Sequence, residues 1–159
     1  MNDKNQIKMD GLQIEKMRLN DIPDVLRLAS KAQSKLKVFA IGAPSVIFKQ
    51  VSLVLQQNFR NSFVFLLNEK IVGAFVVKRE TSVSAEIVYC FFAPDFDLHE
   101  KAAEMLKNHL ISSKFSVLSA KINKARKDYD LLIEFMNALK LTEILAENDA
   151  FQTISTKKP

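Results

Sequence analysis

Asp97, His99 and Glu100 stand where the chain changes period, between an apolar run that ends near Ala93 and a helical pattern that begins at Leu98. The spacing has a defined chemistry. Asp97 can accept from amides of a helix's first turn while Glu100 returns to the amide of the cap residue, which makes a capping box. The end of a strand and the start of a helix is also where an α/β layer presents donors to an anion, so this junction is the first candidate for a ligand seat. His99 has two readings, a phosphate contact when protonated or a surface residue of the cap, and His109 suits a packing boundary. The two histidines lie ten residues apart on one expected helix, too far to share an ion through that helix, and no Cys/His spacing suits structural zinc. Cys90, the single cysteine, falls in the most apolar run and reads as a small buried hydrophobe. With no partner for an internal disulfide, it points to a reducing interior, and the expected location is cytoplasmic.

The elements that position this junction follow from periodicity. Glu86 to Phe92 is an aromatic and β-branched run expected as a buried strand, and Leu98, Ala102, Met105, Leu106, His109 and Leu110 mark one side of the helix after it. Upstream, Leu12 to Leu19 alternates as an edge or half-buried strand would. Asn20 or Asp21 then caps a helix that accepts Pro23 in its first turn and buries Ile22, Val25, Leu26, Leu28 and Ala29. Lys35 to Ala43 is ambiguous and ends in a Gly42-Ala43-Pro44 break, after which Val46, Ile47, Val51, Leu53, Val54 and Leu55 predict a second helix ending before Asn61. Phe63 to Leu67 and Ile71 to Val77 read as a hairpin around Asn68-Glu69-Lys70, and the strand at Glu86 to Phe92 completes a meander. Gly73 inside that hairpin marks a bulge, a close approach, or an ordinary accommodated glycine.

Downstream, the helix from Leu98 ends near Ser112 and Ser113. Phe115 to Ile122 is then a strand parallel to its predecessor, because a whole helix separates them. Asp128 or Asp130 begins a helix through Leu139 with Leu131, Leu132, Phe135, Met136 and Leu139 as its apolar side. Leu141 to Ala146 and Phe151 to Ser155 flank a hairpin turn at Glu147-Asn148-Asp149.

A chain of 159 residues with 48% hydrophobic content, twelve Phe, no Trp and three Gly suits one bulky-cored domain, expected over residues 12–156 with a disordered lead at 1–11 and a frayed tail at 157–159. No apolar run approaches the length of a membrane span, and the first residues mix acids with lysines and lack a signal-peptide core. The net charge of +5 is uneven: residues 1–80 hold thirteen Lys or Arg against seven acids, residues 81–159 ten against eleven. A basic first half attracts anions in general. Its positive residues are mostly single and no recognition motif accompanies them, which leaves a nucleic-acid module as the weakest of three functional readings.

The order of elements and several local segments resemble the Gcn5-related N-acetyltransferase (GNAT) family. Phe92-Ala93-Pro94-Asp95-Phe96 is similar to the family's hydrophobic-V-x-P-E-Y strand end, and Met105-Leu106 to the paired hydrophobics of its following helix. The segment from Leu12 to Leu28 resembles its opening strand and capped helix, and Phe135 to Leu141 its hydrophobic-Y-E-K-L-G-F segment. The resemblance spans roughly residues 12 to 156. It implies an α/β fold with a mixed central β-sheet flanked by helices, the acyl-CoA N-acyltransferase fold, and acetyl transfer from acetyl-CoA or another acyl-CoA to a small amine or a protein amine.

In that resemblance the amides near Phe91, Phe92 and Ala93 hold the pantetheine arm and thioester, and Asp97, Leu98, His99, Glu100, Lys101 and Ala102 occupy the phosphate loop. Asn123 lies near the cofactor, Glu86 is the base, and Tyr129 is a replacement acid. The departures fall on the chemistry. Asp97 stands where the family has Arg or Gln, Glu100 where it has its first Gly, and only Ala102 conforms. Two carboxylates occupy the donors of the helix start and repel a phosphate, and Lys101 either compensates or faces solvent. Met136 stands where the family has its tyrosine, and a thioether cannot protonate a thiolate. Glu86 reads equally as a strand-end surface acid, Tyr129 as a cap or packing residue, and Tyr89 as a cleft or core aromatic. A non-catalytic acetyltransferase-like domain that binds a protein or small ligand is therefore the second functional reading. The apolar positions suit either a second copy of the chain or an internal core.

Overall fold

The structure is a computed structural model that describes residues 11–36, 44–111, 115–125 and 129–156, without the side chains of 32–36, 44–48 and 111. Its strands are β1 (Leu12–Lys16), β2 (Phe63–Leu67), β3 (Lys70–Arg79), β4 (Ser84–Phe92), β5 (Val117–Asn123), β6 (Glu143–Glu147) and β7 (Phe151–Ser155). Its helices are α1 (Ile22–Leu36), α2 (Pro44–Asn58), α3 (His99–Ile111) and α4 (Tyr129–Ala138). The seven strands form one sheet in the order β1-β2-β3-β4-β5-β7-β6. Every neighbouring pair is antiparallel except β4 and β5, the two joined through α3. This is the mixed sheet that the pattern predicts.

The sheet is covered on both faces. Phe65, Phe75, Val77, Ile87, Cys90, Leu118, Ala120 and Ile122 meet Ala102, Ala103 and Leu106 of α3 and Leu132, Phe135 and Met136 of α4. The alternate residues Val64, Ala74, Val76 and Phe91 meet Ile22, Val25 and Ala29 of α1 and Val51 and Leu55 of α2. Because successive strand side chains point to opposite faces, the central strands bury both sets and read as continuous apolar runs.

Local chemistry fixes the connections. Asn68 and Glu69 take positive φ (51° and 70°) between the paired residues Leu67 and Lys70, the two-residue hairpin geometry that matches strand twist. Asp21 accepts from the amide of Arg18 at 2.8 Å and closes a 3-10 turn directly before α1, so it reaches back to the turn rather than forward to the first-turn amides of α1 as a cap would. At the end of α4 Lys140 adopts φ 74° and Leu141 N donates to Met136 O at 3.0 Å, a Schellman stop that glycine usually provides.

Several expectations are corrected. β1 ends at Lys16, since Met17 N turns to Ser62 O at 2.8 Å, and Leu19 is exposed in the turn before α1. Leu53 and Leu131 are exposed rather than buried, because their helices face the sheet through Val51 and Leu55 and through Leu132 and Phe135. His109 is exposed, with its edge toward Phe63 at 5.8 Å. β5 begins at Val117 rather than Phe115. The expectations for the lead, for residues 37–43, for the helix end at Ser112 and Ser113, for a start at Asp128 and for the tail lie outside the described residues. Among the described residues no helix is long and apolar enough to cross a membrane.

Candidate active site between β4 and α3

β4 extends from Ser84 to Phe92 but pairs with β5 only from Ser84↔Val117 to Ile87↔Ala120. Beyond that apex residues 88–92 and 121–123 diverge and leave a gap in the sheet. The cause is local. The β3–β4 register shifts between Val76↔Tyr89 and Val77↔Ile87, which makes Val88 an extra residue, and a bulge bends its strand and increases its twist. Ser62 supports the place: its buried hydroxyl donates to Asn58 O at 2.8 Å and accepts from Val77 N at 3.0 Å. Nothing in the sequence pattern singled Ser62 out.

The amide of Ala93 donates to Val72 O of β3 at 2.7 Å. It therefore does not face the gap, which corrects one of the three expected donors. By strand alternation Phe91 also turns its backbone to β3, whereas Cys90 and Phe92 turn theirs to the gap. The amides that can meet an extended ligand chain are thus offset by one residue from those expected at Phe91 and Ala93.

At the open end of the gap lies α3. Ala102 N donates to Leu98 O at 2.9 Å, so Leu98 holds the cap position in place of Asp97, which corrects the capping box expected of Asp97 and Glu100. A cavity of about 390 Å³ separates this helix start from α4. Asp97, His99, Glu100 and Ala103 line one side and Leu131, Glu134 and Phe135 the other. Glu134 was missed from sequence because it reads as an ordinary exposed position of α4; only the packing of α4 beside α3 makes it part of the site. Lys101 and Ala102 do not line the cavity.

The floor between gap and cavity is aromatic. The Phe92 ring stacks on Phe96 at 4.8 Å and 5°, meets the edge of His99 at 4.8 Å, and lies 5.3 Å from Phe135. His99 is therefore half-buried between rings rather than a surface residue of the cap. Gly73 makes the arrangement possible, since a Cβ there would stand 2.5 Å from Phe92 Cδ1. Both structural readings of Gly73 apply near one another: the close approach is at Gly73 itself, and the β2–β3 register shift falls beside it at Val72.

The remaining candidates divide. Glu86 is half-buried one residue before the apex, across from Lys78 on β3 and Ser119 on β5, and points away from the α3/α4 face that Ala85 and Ile87 share. Tyr129 packs against the α3/α4 core, and its hydroxyl donates to Gln152 Oε1 at 2.8 Å on β7, the neighbour of β5 on the side away from the gap. Asn123 Oδ1 accepts from Ala125 N at 2.8 Å, a local Asx turn. Met136 and Cys90 are core residues. Tyr89 is half-buried beside the α1/α2 core, and burial raises its phenol above the usual value. The structure thus brings Glu86, Cys90 and Phe92 to one strand edge and Asp97, His99 and Glu100 to its open end, turns the Tyr129 hydroxyl to β7, and leaves Asn123 at the end of β5 with its side chain in a local turn.

No family model and no curated protein matches the sequence. Solved structures do. An acetyltransferase of the GNAT family from Bacillus anthracis superposes with a TM-score of 0.57 at 16% identity, covering 91% of this chain and 92% of that one. The fold is that of the GNAT acetyltransferases. The PaiA N-acetyltransferase from Thermoplasma acidophilum, solved with coenzyme A, gives 0.59 at 11% identity over 92% and 99% of the two chains. An acetyl transferase from Salmonella typhimurium that modifies the N-terminal serine of ribosomal protein L7/L12 gives 0.62 at 12% identity over 91% and 94%. The GNAT-like resemblance of the sequence therefore extends to the fold.

Proposed function

We propose that this chain is an acyltransferase that moves an acyl group from a thioester to an amine, with the donor's arm laid along β4 in the gap beside β5. The observation that carries the reading is the loss of β4–β5 pairing beyond Ile87↔Ala120 at the Val88 bulge. A strand edge exposed in the middle of a sheet can pair with the amides of a pantetheine-like chain as it would with a peptide. Coenzyme A fits this frame only in part: the arm matches the gap, whereas the cavity at the α3 start is lined by Asp97, Glu100 and Glu134, which do not suit a diphosphate. Solved proteins of this fold include a complex with coenzyme A and an enzyme acting on a protein N-terminus, which supports a thioester donor and a small or protein amine as acceptor.

In this reading the acceptor nitrogen attacks the thioester carbonyl carbon near the apex, a C–N bond forms, the C–S bond breaks, and the thiolate takes a proton from water. Glu86, beside the apex, accepts the proton that the amine loses, directly or through water. Tyr129 serves β7 through Gln152 rather than the leaving group. Glu86→Gln should lower the acetyl-transfer rate by about 100-fold with little change in donor KM, in line with the contribution of a positioned base. An unchanged rate would remove Glu86 from the chemistry. The gap reading itself is tested by titrating the folded protein with a pantetheine thioester while following the amide signals of Cys90 and Phe92; a protein with no such binding is better described as an acetyltransferase-like binding domain.

A further inference from the structure

The α3 start carries a disagreement between fold and chemistry. In this architecture the end of β4 and the start of the next helix form a natural anion seat, because a helix start presents donors and the equivalent of about half a positive charge. Here the cavity at that point has Asp97 and Glu100 on one wall and Glu134 on the other, and among the described residues lining it none is Lys or Arg. The loop that leads in adds Asp95, and Glu104 follows one turn beyond Glu100 on α3. Half a positive charge faces three carboxyl side chains. A carboxylate about 5 Å from a phosphate charge weakens its binding by roughly 100-fold or more at the effective dielectric of a protein surface, so the helix start is outweighed.

The shape adds a second obstacle. Phe92, Phe96 and His99 stand ring against ring at the end of β4, with Phe92 seated on Gly73. Family loops use glycine at such a place so that a diphosphate can approach the backbone. Among the described residues Gly73 is the glycine close to this junction, and it instead admits a phenyl ring.

We infer that the α3 seat rejects a nucleoside diphosphate, and that the acyl donor is a thioester on a pantetheine-type arm whose binding gains nothing from the nucleotide of coenzyme A. This rests on the acyltransferase reading and names its donor class. The gap takes the neutral, amide-bearing arm, and the acids at its mouth screen against the phosphorylated end that ordinarily anchors it.

Isothermal titration of the full chain with S-acetyl-pantetheine and with acetyl-CoA tests the inference, on the natural protein and on the combined variant Asp97→Asn, Glu100→Gln, Glu134→Gln. All three positions are exposed, so the variant keeps the core. The natural protein should bind S-acetyl-pantetheine and bind acetyl-CoA no more tightly, within about threefold. Neutralisation should tighten acetyl-CoA by roughly tenfold or more and leave S-acetyl-pantetheine within about twofold. If the natural protein binds acetyl-CoA at least about tenfold more tightly than the arm alone, the inference is overturned while the acyltransferase reading stands. A variant that gains no affinity for acetyl-CoA also overturns it. If the natural protein binds neither thioester, the acyltransferase reading falls and takes the inference with it.

Discussion

The gap beside β5 and the seat at the start of α3 adjoin one another, yet they are built from different materials. The gap is backbone: a parallel pair that stops at Ile87↔Ala120, a bulge at Val88, and amides whose direction is set by strand alternation. The seat is side chain: Asp97, Glu100 and Glu134 around a cavity, above a stack of Phe92, Phe96 and His99. The first rests on hydrogen-bond geometry, which tolerates many side chains. The second depends on residue type, which fold geometry does not fix.

Two substitutions strike the halves separately. Ser62→Ala leaves the buried amide of Val77 without its acceptor, at a cost of about 1–3 kcal/mol. Gly73→Ala forces a methyl group against Phe92, with a cost of similar size, about 1–3 kcal/mol. Denaturant unfolding should give comparable losses for both. The comparison sharpens in binding: Ser62→Ala should weaken S-acetyl-pantetheine, whereas Gly73→Ala should loosen the rings at the mouth and shift the His99 ring signals. Equal effects on the arm from both variants would mean that gap and mouth are one unit.

A smaller effect is expected at Tyr129→Phe, which removes one hydrogen bond to Gln152 and should cost about 0.5–1.5 kcal/mol while the transfer rate stays within about twofold. A large loss of rate with unchanged stability would return the phenol to the chemistry. The smallest effect concerns Tyr89, on β4 just beyond the bulge. Burial raises its phenol above the usual value of about 10, so on alkalinisation the unfolded chain releases this proton before the folded one does. Its contribution to stability is therefore whole below about pH 10 and is lost as pH rises through the folded value. The stability difference between the natural protein and Tyr89→Phe should change in that direction above about pH 10; a constant difference would show a phenol already open to water.

Most of the frame was legible from residues alone, and the reasons are specific. Phe63 to Leu67 and Ile71 to Val77 announce buried strands because both faces of the central sheet are covered, and Asn68 suits the positive φ of the turn between them. The parallel return of β5 follows from the helix that separates it from β4. Other features were not legible. Val88 looks like any apolar strand residue, and its role as a bulge depends on the registers of two neighbouring pairs. Ser62 looks like a polar residue before a strand, yet it is fully buried and holds Val77. The capping box at Asp97 and Glu100 satisfied the sequence rule, but the helix starts one residue later, since a cap depends on where the chain can leave the sheet as well as on which side chain can accept.

The sequence by itself determined the order of elements, the two apolar faces of the sheet and the acids at Asp97 and Glu100, because periodicity and residue type are local properties. Only the tertiary structure decided that α4 brings Glu134 to face them, that Gly73 seats Phe92 at the same mouth, and that Tyr129 turns to Gln152 on the far side of β5. Those are contacts between segments distant in the chain, fixed by helix packing and strand register.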